Sequence, residues 1–270
     1  MKSEKELSLE RKIVSAFKEI GQADKALAAA KIILADEEIQ SSQEFANNVS
    51  IVRLGFNDHG PVHMRIVVLN AIIMMGLLRQ AGIKTNLEQE GVGDFEDSLI
   101  SVILAAMLHD LGMGIGRQDH ELKSTYLAIP ILNRLLSQIF PDDMQKKVMI
   151  RATALEGISG HMGSRVNSLE AGIVQLADGC DMSKGRARIP IALSYSPRAG
   201  DIHQYSANSI KAVNITKGAE KPIHIDVMMS SEVGLFQVEE VLLTKIAHSP
   251  AKQHIELYAQ VNEEEPRRYL

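Results

Sequence analysis

The chain has 270 residues, of which 45% are hydrophobic and 23% are charged, and its formal net charge is −5. These proportions are typical of a globular protein, so they exclude a disordered chain and a collagen-like fibre. The single cysteine, Cys180, excludes an internal disulfide framework and any CxxC zinc site, and it suits a reducing cytoplasm. The acidic balance argues against nucleic acid as a partner.

No segment has the pattern of an export signal or a membrane span. The N-terminus is charged and lacks an apolar core. The longest apolar stretches, Ile66–Leu78 and Leu99–Leu108, are shorter than the roughly 20 residues that cross a bilayer. We therefore expect a cytoplasmic protein that does not contact a membrane.

Helical spacing of apolar residues dominates from residue 5 to about residue 190. The spacing predicts a first helix through Ile13 and Ile20, and a second helix that Asp24 caps. The stretch KTNLEQEGVGDFED is polar and contains glycine, which is typical of a loop. The remaining helices are predicted over residues 37–55, Val62–Gln80, Phe95–Leu111, His120–Phe140, Asp142–Glu156 and Ser168–Ser183.

From about residue 200 the apolar pattern changes. Two alternating segments, one segment of helical spacing and a third alternating segment follow one another: Ile210–Thr216, Pro222–Ser230, Val233–His248 and His254–Val261. Residues 217–220 are typical of a hairpin connection, and the charged tail 262–270 is expected to be frayed. The sequence therefore predicts a mainly α fold, with a helical domain over residues 1–195 and a small α+β (strand-strand-helix-strand) domain over residues 205–262.

The nine histidines are unevenly distributed, and one of them adjoins an aspartate at the end of an apolar helix. A buried His109-Asp110 pair without partners would be costly, and a divalent metal removes that cost because it binds both groups. Consecutive helical side chains diverge by about 100°. A carboxylate that bridges two ions, with histidines on either side, therefore fits the pair better than one closed site does. Five histidines fall within about a hundred residues: His59, His63, His109, His120 and His161.

These motifs resemble the HD-domain superfamily of metal-dependent phosphohydrolases. His63-Met64-Arg65-Ile66-Val67 resembles the family's helix-borne histidine, LAAMLHDLG at Leu104–Gly112 closely resembles its His-Asp motif, and Leu176-Ala177-Asp178 resembles its distant aspartate. The resemblance covers roughly residues 55–185 and implies that the helical domain is an HD-type bundle. After His161 the chain reads MGSRVN, without the Gly-Tyr-Pro signature of the cyclic-dinucleotide phosphodiesterases, so that substrate is not implied.

The resemblance implies two divalent ions, with iron, manganese, cobalt, zinc and magnesium all open. It implies that Asp110 bridges them, because His120 and His161 stand where binuclear members of the family place extra ligands. The implied reaction is cleavage of a phosphomonoester or phosphodiester, most readily of a nucleotide-like substrate, by attack of a metal-bridging hydroxide. His59 remains an alternative to His63, and Asp181 an alternative to Asp178. The implied ligands are His63, His109, Asp110 and Asp178 for the first ion, and Asp110, His120 and His161 for the second.

Basic residues close to the last motif are the candidates for phosphate contacts. Lys184, Arg186 and Arg188 follow Asp178 closely. Lys184 and Arg188 are also expected to act in catalysis by offsetting charge on the phosphoryl oxygens. Arg65 is a weaker candidate for substrate binding, as is Arg117.

Two functions of different classes are open. The complete ligand set favours an enzyme that acts on a small-molecule phosphate ester. The alternative is a non-catalytic metal-binding regulatory module, with the C-terminal domain as a sensor or a dimerisation element. An exposed strand edge in that domain would permit a homodimer. RNA binding is not indicated, because the chain has no Gly-rich aromatic sheet motif.

Overall fold

The computed structural model describes residues 2–182 and 202–270. Its first part is helical, with short π-helical and 3-10 turns at Val49–Arg53 and Leu111–Gly114. The helices are α1 (Glu4–Ile20), α2 (Asp24–Ala35), α3 (Glu37–Asn48), α4 (Pro61–Gln80), α5 (Asn86–Gln89), α6 (Phe95–Leu108), α7 (His120–Ile139), α8 (Met144–Gly160) and α9 (Leu169–Gly179).

Several helix starts are determined by local side-chain caps. Ser3 forms a capping box with Glu6 at the start of α1, and Asp94 forms one with Asp97 at the start of α6. Helix α4 begins with Pro61 in its first turn, where the missing amide proton costs nothing. Such caps are readable from sequence, and they explain why the predicted helices agree with the structure to within a few residues.

Helices α4 and α6 form the centre of the bundle. Helix α4 packs against α1, α6 and α9, and α6 also packs against α8. Two segments, Pro61–Gln80 and Phe95–Gly114, are long and apolar enough to cross a membrane, judged by length and composition alone. Both are longer than the apolar stretches recognised in the sequence. Within the fold, 67% and 94% of their apolar windows are buried. Burial on nearly all sides accounts for their composition, as in the core helices of a bundle.

The second part of the structure, residues 202–270, is called the C-terminal unit here. It comprises helix α10 (Ile202–Ser209), strands β1 (Ile210–Lys217) and β2 (Ile223–Met229), helix α11 (Leu243–Ala247), and strands β3 (Ile255–Val261) and β4 (Arg267–Arg268). The sheet order is β1-β2-β3-β4. Strands β1 and β2 form the predicted antiparallel hairpin, whereas β3 runs parallel to β2 because a helical crossover joins them.

The mainly α fold with a strand-strand-helix-strand unit is confirmed, with local corrections. Asp24 does not cap α2: it is the first residue of the helix, and no side-chain cap precedes it. The stretch predicted as a loop before α6 contains the one-turn helix α5, which a Thr85 capping box begins. The helical segment before β3 consists of 3-10, π and α turns and is not one regular helix. The tail is not frayed, because β4 pairs with β3 and Tyr269 donates a hydrogen bond to Glu239.

One hydrophobic core connects the C-terminal unit with the helical part. Leu242 and Ile246 of the unit belong to the same cluster of buried side chains as Ile173 and Leu176 of α9. Because apolar burial is the main stabilising term, the unit is held against α9 by the interaction that holds the bundle together. The face of α9 that carries Asp178 therefore lies between the two parts.

Candidate metal centre

The His109-Asp110 motif stands where α6 ends. The helix stops at Leu108 and not at Leu111 as predicted, and Asp110 leaves helical geometry with φ −105° and ψ 8°. The backbone thus departs from the α-helix at Asp110, directly after His109. Both side chains are buried and reach the same cluster, since His109 Nε2 lies 3.3 Å from Asp110 Oδ2.

Gly112 allows the next helix to begin close to this motif. A Cβ at this position would collide with the carbonyl oxygen of His120 and lie 2.7 Å from the backbone nitrogen of Ser124. The Gly112 amide donates a hydrogen bond to Ser124 Oγ at 2.8 Å. Asp119, just before His120, has the left-handed φ of 49° that Asp tolerates better than most residues. The tight turn thereby brings His120 next to Asp110.

A first donor group surrounds one oxygen of Asp110. His63 Nε2 lies 3.3 Å from Asp110 Oδ2, 3.3 Å from Asp178 Oδ1 and 3.2 Å from His109 Nε2. His109 Nε2 is 3.3 Å from Asp110 Oδ2. We call His63, His109, Asp110 and Asp178 the His63 group. Helices α4 and α9 and the end of α6 supply its side chains.

A second donor group surrounds the other oxygen of Asp110. Asp110 Oδ1 lies 3.1 Å from His120 Nε2 and 3.3 Å from His161 Nε2, and the two ring nitrogens are 3.2 Å apart. We call Asp110, His120 and His161 the His120 group. Asp110 is therefore shared, with one oxygen in each group.

A hydrogen bond at Nδ1, the ring nitrogen that faces away from the cluster, fixes the orientation of each of the four imidazoles. Three of them donate from Nδ1 to the main-chain carbonyl three residues earlier: His109 to Ala106 at 2.9 Å, His120 to Arg117 at 3.0 Å and His161 to Ile158 at 2.7 Å. His63 Nδ1 donates to Asp181 Oδ2 at 2.7 Å. An oxygen acceptor requires a proton on Nδ1, and this arrangement turns Nε2 of each ring toward the cluster, where it could ligate a cation.

Electrostatics favours the ligand form of these groups. Burial alone raises the pKa of Asp110, but the imidazoles of His109 and His59 outweigh it and hold that pKa well below its ordinary value. Burial likewise raises the pKa of Asp178, and the ammonium of Lys245 outweighs it. Burial lowers the pKa of His161 to about 4. At neutral pH the carboxylates are charged and His161 is neutral, as metal binding requires.

The donor set fits divalent metal ions. Ring nitrogens and carboxylate oxygens converge in a buried space, and their lone pairs would repel one another without a cation between them. Ligands about 2.0–2.2 Å from one ion lie about 3–3.5 Å apart. Most donor pairs within each group have this spacing, and His109 Nε2 and Asp178 Oδ1 are 3.8 Å apart. Among the described residues, three sets of three donors meet a metal-site geometry: His63, His109 and Asp110; His109, His161 and Asp178; Asp110, His120 and His161.

A cavity of about 490 Å³ opens onto this cluster. Asp110, His120, His161 and Asp178 reach its surface, whereas the described lining does not include His63 and His109. Arg117 also lines the cavity and lies over the ring of Phe56, 5.6 Å from its centroid. The His120 group therefore faces the cavity with all its members, whereas only Asp110 and Asp178 of the His63 group reach it.

The two alternatives left open by the sequence occupy different positions. His59 lines the cavity, and none of the three donor sets among the described residues contains it; Asn57 O at 2.6 Å and Ser50 Oγ at 2.9 Å engage its Nδ1. Asp181 stands behind His63 as its hydrogen-bond partner. His63 and Asp178 thus lie among the converging donors, and Asp181 contacts the opposite ring nitrogen of His63, where an orienting partner of a ligand would stand.

Of the predicted phosphate contacts Arg65, Lys184, Arg186 and Arg188, only Arg65 lies among the described residues. Arg65 is corrected: it is buried and its guanidinium binds Glu10 at 2.8 Å and the Pro61 carbonyl at 3.0 Å, so it joins α4 to α1 and does not line the cavity. The other three predicted contacts, Lys184, Arg186 and Arg188, lie outside the described residues.

One charged residue at the site did not follow from the sequence. Lys245 of the C-terminal unit is buried, lines the cavity and donates a hydrogen bond to Asp178 Oδ2. Its contact spans 67 positions of the chain. No local motif marks Lys245. The only signal in the sequence is a lysine in an apolar helical segment that has no acidic residue one turn later.

Comparisons with known proteins agree with this geometry. Residues 70–183 match the model of the HD domain, a range that begins just after His63 and includes the other donors. The chain is 39% identical over 235 residues to the uncharacterized protein MJ1020 of Methanocaldococcus jannaschii, covering 87% of this chain and 88% of that protein. No solved structure matches significantly. On the motif match and the buried His/Asp cluster, the chain belongs to the HD-domain superfamily of metal-dependent phosphohydrolases.

Proposed function

We propose that this protein uses two divalent ions to hydrolyse a small phosphate ester, most readily a nucleotide-like phosphomonoester or phosphodiester. The observation that carries the proposal is that the two carboxylate oxygens of Asp110 face different donors: Oδ2 faces the histidines of the His63 group, and Oδ1 faces those of the His120 group. A carboxylate shared in this way can bridge two ions. Mixed imidazole and carboxylate ligation suits iron, manganese, cobalt or zinc.

The ions would supply Lewis acidity, lowering the pKa of bound water and offsetting phosphoryl charge. The protein's own contribution is orientation. The Nδ1 hydrogen bonds hold each ring, and His63 is fixed further by Asp181. Apolar side chains of the helices that precede and carry these donors, such as Val67 of α4 and Met107 of α6, are buried in the hydrophobic core. Donors held in this way lose little entropy when a ligand binds.

The cavity supports a small molecule as the substrate. Its volume of about 490 Å³ is within the range of about 300–1,000 Å³ found for small-ligand sites. Arg117 brings a positive charge to the wall, and Phe56, which is 39% exposed, offers an aromatic ring. An anionic ester with a flat base complements both features. We further propose that the protein acts in the cytoplasm, and that a homodimer can form through β1, which lies at the sheet edge.

The test combines metal analysis with a panel of phosphate esters. Purified protein should bind about two ions per chain and release phosphate from a subset of nucleoside monophosphates, cyclic nucleotides and other monoesters. Asp110→Ala should lower phosphate release by more than about 100-fold, since oxyanion-stabilising groups alone contribute about that factor. Asp142→Ala, an exposed position, is the matched control.

Three other outcomes would count against parts of the proposal. Full metal occupancy without turnover of any phosphoester would favour the non-catalytic regulatory module. Less than one bound ion, unchanged by substitution of His120 and His161, would refute the two-ion arrangement. Turnover that persists after exhaustive metal removal would refute metal dependence itself.

A further inference from the structure

The C-terminal unit forms one wall of the cavity above the metal centre. Gln237, Val241 and Thr244 lie on one face of its helical segment, at spacings of four and three residues, and all three line the cavity. Lys245 follows directly and also lines it. The unit therefore contributes side chains to the same space that the donor groups face.

Two glycines of α9 allow this wall to approach closely. A Cβ at Gly179 would lie 3.0 Å from Leu242 Cδ1 and 3.2 Å from Lys245 Cδ. A Cβ at Gly172, two helical turns earlier on the same face, would collide with Ser249 Oγ and lie 3.2 Å from Pro250 Cδ. The contact surface is thus fitted to the glycine backbone, and Gly179 is the residue directly after Asp178.

Lys245 has more hydrogen-bonding capacity than its protein contacts use. Its side chain is 8% exposed, and its ammonium pairs with Oδ2 of Asp178. The other oxygen of Asp178, Oδ1, faces His63. An ammonium carries three donors. Among residues 2–182 and 202–270, Asp178 is the acceptor recorded for Lys245. Buried donors without acceptors are costly, so the remaining protons indicate a ligand or water in the cavity.

We propose that Lys245 binds a phosphoryl oxygen of the substrate, so that the C-terminal unit completes the active site. The choice of a phosphoryl group rests on the proposed function, and the presence of an oxyanion site rests on the geometry alone. A tetrahedral oxyanion offers several acceptors to a cation that already has one carboxylate partner. Lys245 lies close to the donor groups, because the Asp178 carboxylate contacts Lys245 through Oδ2 and faces His63 through Oδ1.

The experiment measures binding of inorganic phosphate to the metal-saturated full chain by calorimetry. Lys245→Met should weaken phosphate binding by about 10–100-fold, which is the worth of a hydrogen bond to a charged group. Lys252→Met removes the same charge from an exposed position of the C-terminal unit, and it should leave the dissociation constant within about twofold. Circular dichroism and metal content establish that each variant is folded and loaded.

A role confined to positioning Asp178 would give a different result. Lys245→Met would then lower metal affinity but leave phosphate affinity unchanged at saturating metal, which would overturn the proposal. Failure of the wild-type protein to bind phosphate with metal present would overturn it as well. If Lys245→Met does not fold, a structure of the wild-type protein with metal and phosphate decides. Lys245 Nζ within about 3.2 Å of a phosphate oxygen supports the proposal, and phosphate bound out of its reach contradicts it.

The proposed function and this inference can fail separately. Phosphate binding that depends on Lys245, without turnover of any ester, would contradict the proposed hydrolysis and leave the oxyanion site standing. Turnover with phosphate affinity that is independent of Lys245 would do the opposite.

Discussion

The two donor groups around Asp110 differ in charge and in position. The His63 group contains two carboxylates, Asp110 and Asp178, whereas the His120 group has only its share of Asp110. Charged side chains back the first group, since Asp181 holds His63 and Lys245 holds Asp178. Main-chain carbonyls hold the rings of the second group, and both of its histidines line the cavity. The His63 group thus offers more negative charge to a cation, and the His120 group is more open to the cavity.

The difference predicts unequal metal affinities, because affinity for a divalent cation rises with the number of charged ligands. Variants that alter one group and spare the other test this difference directly.

Asp110→Asn should have the largest effect because both groups use this carboxylate. We expect both ions to be lost, with each affinity reduced by more than about 100-fold, since even outer-shell partners are worth about 10–100-fold. Inductively coupled plasma analysis after dialysis measures the remaining metal. Asp142→Asn, at an exposed position, should retain the wild-type content. One ion retained at wild-type affinity in Asp110→Asn would show that the carboxylate is not shared.

His63→Ala and His120→Ala should separate the groups. Removal of His63 should leave only the weaker ion, and removal of His120 only the tighter one, because each ring belongs to one group. Titration of metal-free protein gives the stoichiometry and the affinity of the remaining ion. If His120→Ala leaves the weaker ion, the order assigned to the two groups is reversed.

Asp181→Asn should affect the His63 group alone. The amide oxygen of Asn can still accept from His63 Nδ1, but the negative charge that strengthens the ring as a ligand is lost. We expect the tighter ion to bind about 10-fold more weakly, at the low end of effects from such partners. The affinity of the second ion serves as an internal control, and an equal loss at both ions would contradict the assignment.

Gly179→Ala should have the smallest effect on the metals. The added methyl requires Leu242 and Lys245 to give by a few tenths of an ångström, since its contacts would be 3.0 and 3.2 Å. We expect about 1–3 kcal/mol lower stability, typical of overpacking, with unchanged metal content. Thermal denaturation measures the change. Gly114→Ala, whose methyl would meet Phe45 Cδ1 at an ordinary 3.4 Å, should be nearly neutral. Equal melting temperatures for both variants would show that the C-terminal unit is not tightly fitted to α9.

Local features of the chain accounted for most of the fold. Helical spacing and caps such as Ser3 and Asp94 are short-range signals, so the helices of residues 2–182 followed from them. The β1–β2 hairpin followed from alternation around a short connection. The end of α6 at Leu108 did not follow, because the apolar pattern continues to Leu111 and the turn depends on the packing of Gly112 against His120.

Contacts between distant segments could not be predicted in the same way. Asp181 and Arg65 carry charges that suit a ligand or a phosphate contact, but each is engaged elsewhere, by His63 and Glu10 respectively. Lys245 lies 67 positions from Asp178, in a segment with no motif. Pairing of buried charges is decided by which surfaces meet, and sequence spacing does not report this.

Residue type and helical period are local properties, so they alone place histidines and aspartates of an HD motif at helix ends in a mainly α chain. Tertiary packing was needed to show which oxygen of Asp110 faces which group, that Asp178 lies among the donors while Asp181 contacts His63, and that Lys245 reaches Asp178. Those outcomes depend on the packing of α9 against the C-terminal unit, where glycines set the distance between backbones and buried charges must find partners.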